Sequence, residues 1–324
     1  MAAQALAAVV AIAVLAQSAA AAAAPPPAKG PVTYVFGDSM SDVGNNNYFP
    51  LSLAKSNYPW YGIDYPNGVA TGRFTNGRTI GDYMADKFGV PSPPPFLSLS
   101  MVDDDVLGGV NFASGGAGIL NETGVYFVQY FSFDQQISCF EMVKKAMIAK
   151  IGKEAAEVAR LYGLGARKVV FNSLPPLGCI PSQRVHSGNG KCLDHVNGYA
   201  VEFNAAAKKL LDGMNAKLPG ARMALADCYS VVMELIVHPE KHGFTTAHTS
   251  CCNVDTTVGG LCLPNSRPCS DRKAFVFWDA YHTSDAANRV IADLLWDAMP
   301  SAGSGGAATT PLAASPAPSP SRAP

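Results

Sequence analysis

Short runs of β-branched and aromatic residues alternate along this chain with long amphipathic helices, and this alternation is the feature that most limits the fold. The strand-like runs occupy residues 32–38, 106–113, 168–172 and 222–226. The first three end in turns rich in Gly, Asn or Pro. Strands that alternate with helices are typical of a parallel sheet covered on both faces. The sequence therefore predicts an α/β domain.

Helices lie between and after these strands. Apolar residues recur every three or four positions in residues 133–151 and 196–218. Either Thr283 or Ser284 can cap a last helix. In parallel sheets, functional sites form beyond the carboxyl ends of the strands, so the turns after the strands are where chemistry is expected.

Both ends of the chain differ in composition from its centre. Residues 5–16 form an Ala-rich apolar run of the length found in secretory signals, although no positive residue precedes it and a disordered leader is the alternative. Residues 301–324 are rich in Ala, Ser and Pro and cannot bury a core. We therefore expect a signal peptide at 1–24, a folded domain at 31–300 and a disordered tail at 301–324, which resembles an O-glycosylated stalk.

Charge and hydropathy narrow the range of partners. The chain carries 24 Lys and Arg residues against 25 Asp and Glu residues, and two of the basic residues, Lys29 and Arg322, lie in the unusual ends. A nucleic-acid-binding surface is therefore not expected. After the N-terminal run no stretch reaches the ~18 apolar residues of a membrane span. We expect a secreted, monomeric protein, located outside the cell or in the cell wall.

The eight cysteines fit an oxidising compartment. Cys179 and Cys192 bracket a short polar loop, and four others crowd a Gly- and Pro-rich segment, namely Cys251, Cys252, Cys262 and Cys269. The sequence predicts disulfides here but leaves the pairing open. The paired spacing of a zinc site is missing, so no metal or other cofactor is expected. Asn121 begins a glycosylation sequon, which also fits secretion.

Ser39 is the first candidate for chemistry, because it stands in a tight turn that leaves the first strand. Such a turn exposes a hydroxyl as a nucleophile requires, although Gly-Asp-Ser is also an ordinary turn sequence. Asp279 and His282 follow an apolar run near the C-terminus. At this spacing the carboxylate can reach the imidazole Nδ1, which would prepare His282 to accept the proton of Ser39.

The chain resembles the plant secreted GDSL esterase/lipase family of the SGNH hydrolases from Tyr34 to about Trp296. The motifs that carry the resemblance are Phe36-Gly37-Asp38-Ser39 with Asp42-Val43-Gly44-Asn45-Asn46, Gly72-Arg73-Phe74-Thr75-Asn76-Gly77-Arg78, Asn111-Phe112-Ala113-Ser114-Gly115-Gly116-Ala117-Gly118, Pro176-Leu177-Gly178-Cys179, and Phe277-Trp278-Asp279 with His282. The resemblance implies a flavodoxin-like three-layer α/β/α sandwich. It also implies an esterase that acts on small-molecule or polymer-linked acyl or acetyl esters.

The resemblance assigns a role to each candidate residue. Ser39 is the nucleophile, His282 the base, and Asp279 the residue that orients the base. The backbone N–H groups of Ser39 and Gly116 belong to the oxyanion hole. Met40 replaces the usual leucine of the signature, which takes no part in the chemistry.

One departure from the family is serious. The family places a Gly-x-Asn-Asp motif after a central strand, and its Asn completes the oxyanion hole, but this chain has no such motif and no room for that strand and its helix. Losing one oxyanion donor typically lowers the rate by roughly 10² to 10³. We expect the 168–172 strand to move beside the 32–38 strand and fill the gap, because an unpaired strand position is open to water.

This closure would bring Asn172 close to the position of the family's oxyanion Asn, where its amide could act as a surrogate donor. The alternative is that Asn172 only serves the turn that follows it. Asn111 is a weaker candidate, since it lies inside its strand. Two other accounts of the whole chain remain open: a non-catalytic relative that binds an acyl or glycan ligand, and a truncated, defective product.

Overall fold

The computed structural model describes residues 32–101, 104–120, 122–151, 168–220, 222–254 and 260–299. The expected signal peptide, the Pro-rich tail and Asn121 lie outside these ranges. Helices α1 to α6 span Ile80–Phe88, Phe133–Ile151, Pro181–Arg184, Asp194–Lys217, Cys228–Val237 and Asp285–Ala298. No helix in the described ranges is both long and apolar enough to span a bilayer.

The strands form small, separate sheets. Strands β1 to β8 span Thr33–Val35, Gly109–Asn111, Lys168–Asn172, Arg222–Ala226, Thr246–Ser250, Cys252–Asn253, Arg267–Pro268 and Phe275–Phe277. The pairs β1–β2, β3–β4 and β5–β8 are parallel, and β6–β7 is antiparallel. The molecule is therefore a mixed α/β protein with small parallel sheets, and the parallel pairing agrees with the alternation in the sequence.

Two of the apolar clusters are centred on different helices. Phe112 after β2 packs with Phe140 and Val143 of α2. In the other cluster, Leu235 of α5 and Ile291 of α6 pack with apolar residues of β8. The pairs β1–β2 and β5–β8 therefore each have their own helical cover, and burial of these apolar side chains holds each unit together.

The expected closure of the sheet is wrong. Strand β3 pairs with β4 in register over five residues, from Lys168 opposite Arg222 to Asn172 opposite Ala226. It does not pair with β1, whose ladder is with β2. The physical reason lies in the packing. Helices α3 and α4 lie between β3 and β4 along the chain, and Phe203 of α4 packs against Phe171 of β3, whereas β1 and β2 pack against α2. Joining β3 to β1 would require these two packing units to merge.

The structure resolves the cysteine pairing that the sequence left open. Cys179 pairs with Cys192, Cys251 with Cys269, and Cys252 with Cys262. Cys139 and Cys228 are unpaired and buried. The last two disulfides join the segment just after β5 to the loop between β6 and β7 and to the residue after β7. This segment lies next to the turn that carries Asp279, because Cys252 N–H donates to the carbonyl of Trp278.

The start of α6 fixes the chain after that turn. Ser284 is the N-cap, and its hydroxyl accepts a hydrogen bond from Ala287 N–H, which confirms one of the two predicted caps. The same hydroxyl donates to the carbonyl of Phe275 in β8 at 2.7 Å. Strand, turn and helix are thereby linked on both sides of the Asp279–His282 segment.

Candidate active site

Ser39 lies in the turn that leaves β1. The carbonyl of Asp38 accepts hydrogen bonds from Ser41 N–H and Asp42 N–H, while the Asp38 carboxylate accepts one from Met40 N–H at 2.9 Å. These bonds close the turn around Ser39. Its side chain is therefore presented at the carboxyl end of the strand and not within the strand.

The residue that begins this turn, Gly37, is held from both sides. Its N–H donates to Gln136 Oε1 at 2.9 Å, and its carbonyl accepts from Gln136 Nε2 at 2.8 Å. Gln136 lies in α2 and is fully buried. Gln136 was not predicted from the sequence, because the local pattern of an amphipathic helix does not distinguish a Gln that binds the backbone of another segment from a Gln on the helix surface.

Asp279 and His282 lie in the tight turn that follows β8. Asp279 Oδ1 accepts hydrogen bonds from the N–H groups of Tyr281 and His282, both at 2.9 Å. The chain then folds back, so that Trp278 N–H donates to the carbonyl of His282. An Asp side chain that closes its own turn in this way is common, and here it fixes the distance between the carboxylate and the imidazole.

The structure brings Ser39, His282 and Asp279 into one chain of hydrogen bonds. His282 Nε2 lies 2.8 Å from Ser39 Oγ, and His282 Nδ1 lies 2.8 Å from both carboxylate oxygens of Asp279. Asp279 is fully buried and His282 is 5% exposed, whereas Ser39 is partly accessible. A buried carboxylate, an imidazole and an accessible hydroxyl in this order can activate the hydroxyl as a nucleophile.

A further buried side chain contacts this arrangement. Tyr61 Oη donates to Asp279 Oδ2 at 2.7 Å and accepts from Cys262 N–H at 3.1 Å. Burial, together with the negative charge of Asp279, raises the pKa of Tyr61 well above its usual range. The hydroxyl therefore stays protonated and remains a donor. From the sequence, Tyr61 could be read only as an aromatic residue of a cleft or of ordinary packing, and its bond to Asp279 was not foreseen because the two residues lie 218 positions apart.

The glycine-rich loop after β2 lies against the Ser39 turn. Ser114 N–H donates to the carbonyl of Gly37, and Gly115 N–H donates to Asp42 Oδ2 at 2.9 Å. Asp42 is fully buried and also accepts from Gly44 N–H and Asn45 N–H. Burial raises the pKa of Asp42 to about 6, against the lowering effect of these backbone donors. Asp42 thus links the two loops that follow β1 and β2.

Two backbone donors are available at this junction. Among the described residues, neither Ser39 N–H nor Gly116 N–H donates a hydrogen bond. Gly116 has a φ of +90°, and a Cβ atom built on it would lie 2.5 Å from Phe127. Only a residue without a side chain fits this conformation and this contact. Unpaired N–H groups of this kind can stabilise a developing oxyanion.

The two asparagine candidates are placed elsewhere. Asn172 is exposed at the end of β3, and the expected position beside β1, on which its surrogate role depended, is wrong. In the described part of the chain no hydrogen bond joins Asn172 to the Ser39 turn. Asn111 is buried, and its side chain binds the backbone of Ser41 and Ala113, which occupies both its donor and its acceptor.

The described ranges contain no group of three or more His, Cys, Asp or Glu side chains that could hold a metal ion.

Comparison with known proteins identifies the family. The family model for GDSL-like lipases and acylhydrolases matches residues 34–153 and 141–295. The chain belongs to this family. As a member of the GDSL-like family, it is a carboxylic ester hydrolase.

The similar proteins are curated plant sequences. The chain is 48% identical to GDSL esterase/lipase At5g37690 of Arabidopsis thaliana, over 86% of this chain and 92% of the relative. It is 40% identical to GDSL esterase/lipase At1g74460, over 82% and 86%, and 36% identical to GDSL esterase/lipase 7, over 81% and 86%, both also from Arabidopsis thaliana.

Proposed function

We propose that this GDSL family member is a secreted serine esterase in which Ser39 is the nucleophile, His282 the general base and Asp279 the group that orients the base. The observation that carries the proposal is the 2.8 Å contact between Ser39 Oγ and His282 Nε2, with His282 Nδ1 at 2.8 Å from the buried Asp279 carboxylate. These distances lie within the range that proton transfer requires.

In the proposed reaction, Ser39 Oγ attacks the carbonyl carbon of the ester while His282 Nε2 takes the hydroxyl proton. The tetrahedral intermediate then expels the alcohol, which receives that proton from His282, and leaves an acyl group on Ser39. Water then attacks the acyl group while His282 Nε2 takes its proton. The second tetrahedral intermediate expels Ser39 Oγ, which receives that proton from His282, and the carboxylic acid is released. Asp279 stabilises the imidazolium in both halves and does not itself take the proton.

The oxyanion would be bound by the backbone N–H groups of Ser39 and Gly116. We propose that the third donor of the family, the Asn of the Gly-x-Asn-Asp motif, is missing and that the rate is reduced by roughly 10² to 10³. Two observations support this. The family model matches in two stretches that overlap at residues 141–153. In the family, the motif is expected shortly after this part of the chain. The alignment with the At5g37690 relative runs over 328 residues yet takes in only 86% of this 324-residue chain, so the relative has positions that this chain lacks.

A graft tests this part of the proposal. A segment that carries the family's Gly-x-Asn-Asp motif is inserted between Ile151 and Lys168, and a matched graft carries the motif Asn as Ala. The first graft is expected to raise kcat by roughly 10²-fold over the native chain, and the Ala graft by much less. Equal rates for the two grafts would show that the missing Asn does not limit the enzyme.

The surroundings of Ser39 support acyl esters as substrates. Two loops are joined by Leu53 N–H, which donates to the carbonyl of Phe127, and Phe127 in turn lies against Gly116. These loops expose a set of large apolar side chains, namely Leu51, Leu53, Ile119, Leu120, Val125, Tyr126 and Val128. An exposed apolar surface next to a reactive group is suited to an aliphatic acyl chain.

An acyl-chain series tests this specificity. With p-nitrophenyl esters, kcat/KM is expected to rise from the acetyl to the octanoyl ester, because each added methylene is transferred out of water. Leu53→Ser is expected to lower kcat/KM for the octanoyl ester and to leave that for the acetyl ester unchanged. Equal effects on both esters would show that the apolar loops do not contact the acyl chain.

We also propose secretion and a three-layer α/β/α arrangement. The Ala-rich leader, the three disulfides and the sequon at Asn121 support an oxidising, extracellular location. The parallel pairs with their covering helices support the layered arrangement. Peptide mass spectrometry of protein secreted by plant cells tests the location, since it reports both the mature N-terminus and a glycan on Asn121.

The central experiment is hydrolysis of p-nitrophenyl acetate by purified protein, its Ser39→Ala variant and the matched variant Ser41→Ala. Ser41 lies in the same turn, and its hydroxyl makes no hydrogen bond in the described part of the structure. We expect Ser39→Ala to fall to the background rate and Ser41→Ala to keep the native rate. Equal loss in both variants, or none in Ser39→Ala, would contradict the proposal.

One observation favours the account of a truncated product. Strands β1 and β3 lie in separate two-stranded sheets, and a sheet that has lost a central strand is expected to break in this way. Thermal unfolding separates the accounts, since a folded esterase is expected to show one cooperative transition and a defective product a broad, non-cooperative one. A cooperative transition without hydrolysis would instead favour the non-catalytic binding protein.

A further inference from the structure

The second carboxylate oxygen of Asp279 is held from outside its own turn by one side chain. Asp279 Oδ1 accepts the N–H groups of Tyr281 and His282, and both oxygens face His282 Nδ1. Oδ2 has one further donor in the described structure, Tyr61 Oη at 2.7 Å. Without it, Oδ2 would face only the imidazole, and the two N–H groups on Oδ1 alone would limit the terminal torsion of the carboxylate.

We propose that Tyr61 is a positioning residue of the esterase, which fixes the Asp279 carboxylate and tunes its attraction for the proton on His282. This inference rests on the proposed function, because it assigns Tyr61 a role through Asp279 and His282. Tyr61 does not touch Ser39 or the ester.

Tyr61 is itself immobilised by its surroundings. It is 1% exposed and packs edge-on against Phe74, whose ring lies 5.2 Å from that of His282. Its hydroxyl accepts the N–H of Cys262, and Cys262 is joined by a disulfide to Cys252. The disulfide loop therefore holds the tyrosine, and the tyrosine holds the carboxylate.

The electrostatic consequence follows from the direction of this bond. A donor on Oδ2 disperses the negative charge of Asp279, so the carboxylate stabilises the imidazolium less strongly than a carboxylate without that donor. The titratable groups that face Asp279 are His282, Tyr61, Tyr58 and Tyr281. From the Ser39 turn, the carboxylate of Asp38 also interacts electrostatically with His282, and it is the same in every variant compared below. The three tyrosines have raised pKa values and stay neutral, so it is the side-chain hydrogen bond to Asp279 that distinguishes Tyr61 from the other two.

The test compares Tyr61→Phe with the matched variant Tyr58→Phe. Both remove one hydroxyl from a tyrosine beside Asp279, and their rings lie 5.5 Å apart, but in the described structure Tyr58 makes no hydrogen bond to the carboxylate. The ring proton of His282 is followed by NMR as the pH is varied and is assigned by its loss in His282→Gln. This readout does not depend on turnover.

In Tyr61→Phe, the midpoint of the His282 titration is expected to move to higher pH by about half a unit to one unit, since the carboxylate loses a donor. The acid limb of the kcat/KM profile should move by the same amount, and kcat should fall by about tenfold because the carboxylate is less well oriented. Tyr58→Phe should leave the midpoint and the acid limb unchanged.

An unmoved His282 midpoint in Tyr61→Phe, or an equal shift in Tyr58→Phe, would overturn the inference. A double variant guards against a purely structural effect: in Asp279→Asn, the further change Tyr61→Phe should no longer move the midpoint, whereas additive effects would also overturn it. If Ser39→Ala keeps the native rate while the midpoint still shifts, the proposed function fails and the link between Tyr61 and Asp279 stands.

Discussion

Replacing Gln136 by Met should release the turn that presents Ser39. Met has nearly the same volume, so no large cavity forms, but three hydrogen bonds disappear: those to Gly37 N–H, to the Gly37 carbonyl and to the Phe131 carbonyl. The partly buried Gly37 N–H is left without an acceptor, at a cost of about 1–3 kcal/mol. The Gly37 carbonyl keeps its bond from Ser114 N–H, so each lost Nε2 bond contributes about 0.5–1.5 kcal/mol.

The expected loss of unfolding free energy is therefore about 2–6 kcal/mol, a large fraction of the 5–15 kcal/mol that is typical of a domain. It is measured by urea unfolding, together with kcat on p-nitrophenyl acetate under conditions where the variant is folded. Gln135→Met is the matched control, because Gln135 is exposed and its side chain accepts one surface bond from Ser132 N–H. A Gln136→Met variant as stable as Gln135→Met would refute the reasoning.

Two further predictions concern the loops around the site. Gly116→Ala should lower kcat by roughly 10² to 10³, since the new Cβ meets Phe127 and displaces one oxyanion donor; steady-state kinetics tests this, and an unchanged kcat would exclude Gly116 from the oxyanion hole. Asp42 should make the native protein less stable as the pH rises, because its pKa of about 6 in the folded state exceeds the value near 3.8 expected in the unfolded state. Its contribution to the free energy of unfolding is fully present below pH 3.8 and falls by about 3 kcal/mol as the pH rises to 6. The difference in melting temperature between native protein and Asp42→Asn, measured from pH 4 to pH 7, should follow this fall, and a constant difference would contradict it.

Local features of the chain were predictable from the sequence. Strands β3 and β4 have the predicted bounds, and α2 begins and ends where the apolar periodicity does. Ser284 caps α6 as its hydroxyl and position suggested. Each of these features depends on residues that are close together in the sequence, so the local pattern of side chains is enough to predict it.

Long-range features were harder to predict. Strands β5 and β8 were missed, since Thr246–Ser250 is polar and Phe275–Phe277 is short. The prediction that β3 would pair with β1 is wrong because it rested only on the unpaired backbone groups. It left out the packing of β1 on α2 and of β3 on α4, which would have to merge.

In the candidate site, too, the residues in local motifs were predicted and those placed by long-range contacts were not. Ser39 was singled out by its turn after a predicted strand, and Asp279 and His282 by their spacing after an apolar run. Gln136 and Tyr61 were not, because their contacts with Gly37 and Asp279 join segments 99 and 218 positions apart. Only the folded chain shows that a buried amide and a buried phenol hold the two turns of the site.

The most direct test of the account is to label the nucleophile. The purified protein is treated with a fluorophosphonate, which reacts with an activated serine by forming a P–O bond and releasing fluoride, and the modified peptide is identified by mass spectrometry. The account predicts a single adduct on Ser39 in the native protein and none in His282→Gln, which lacks the base. An adduct on another serine, or equal labelling of Ser39 in both proteins, would contradict it.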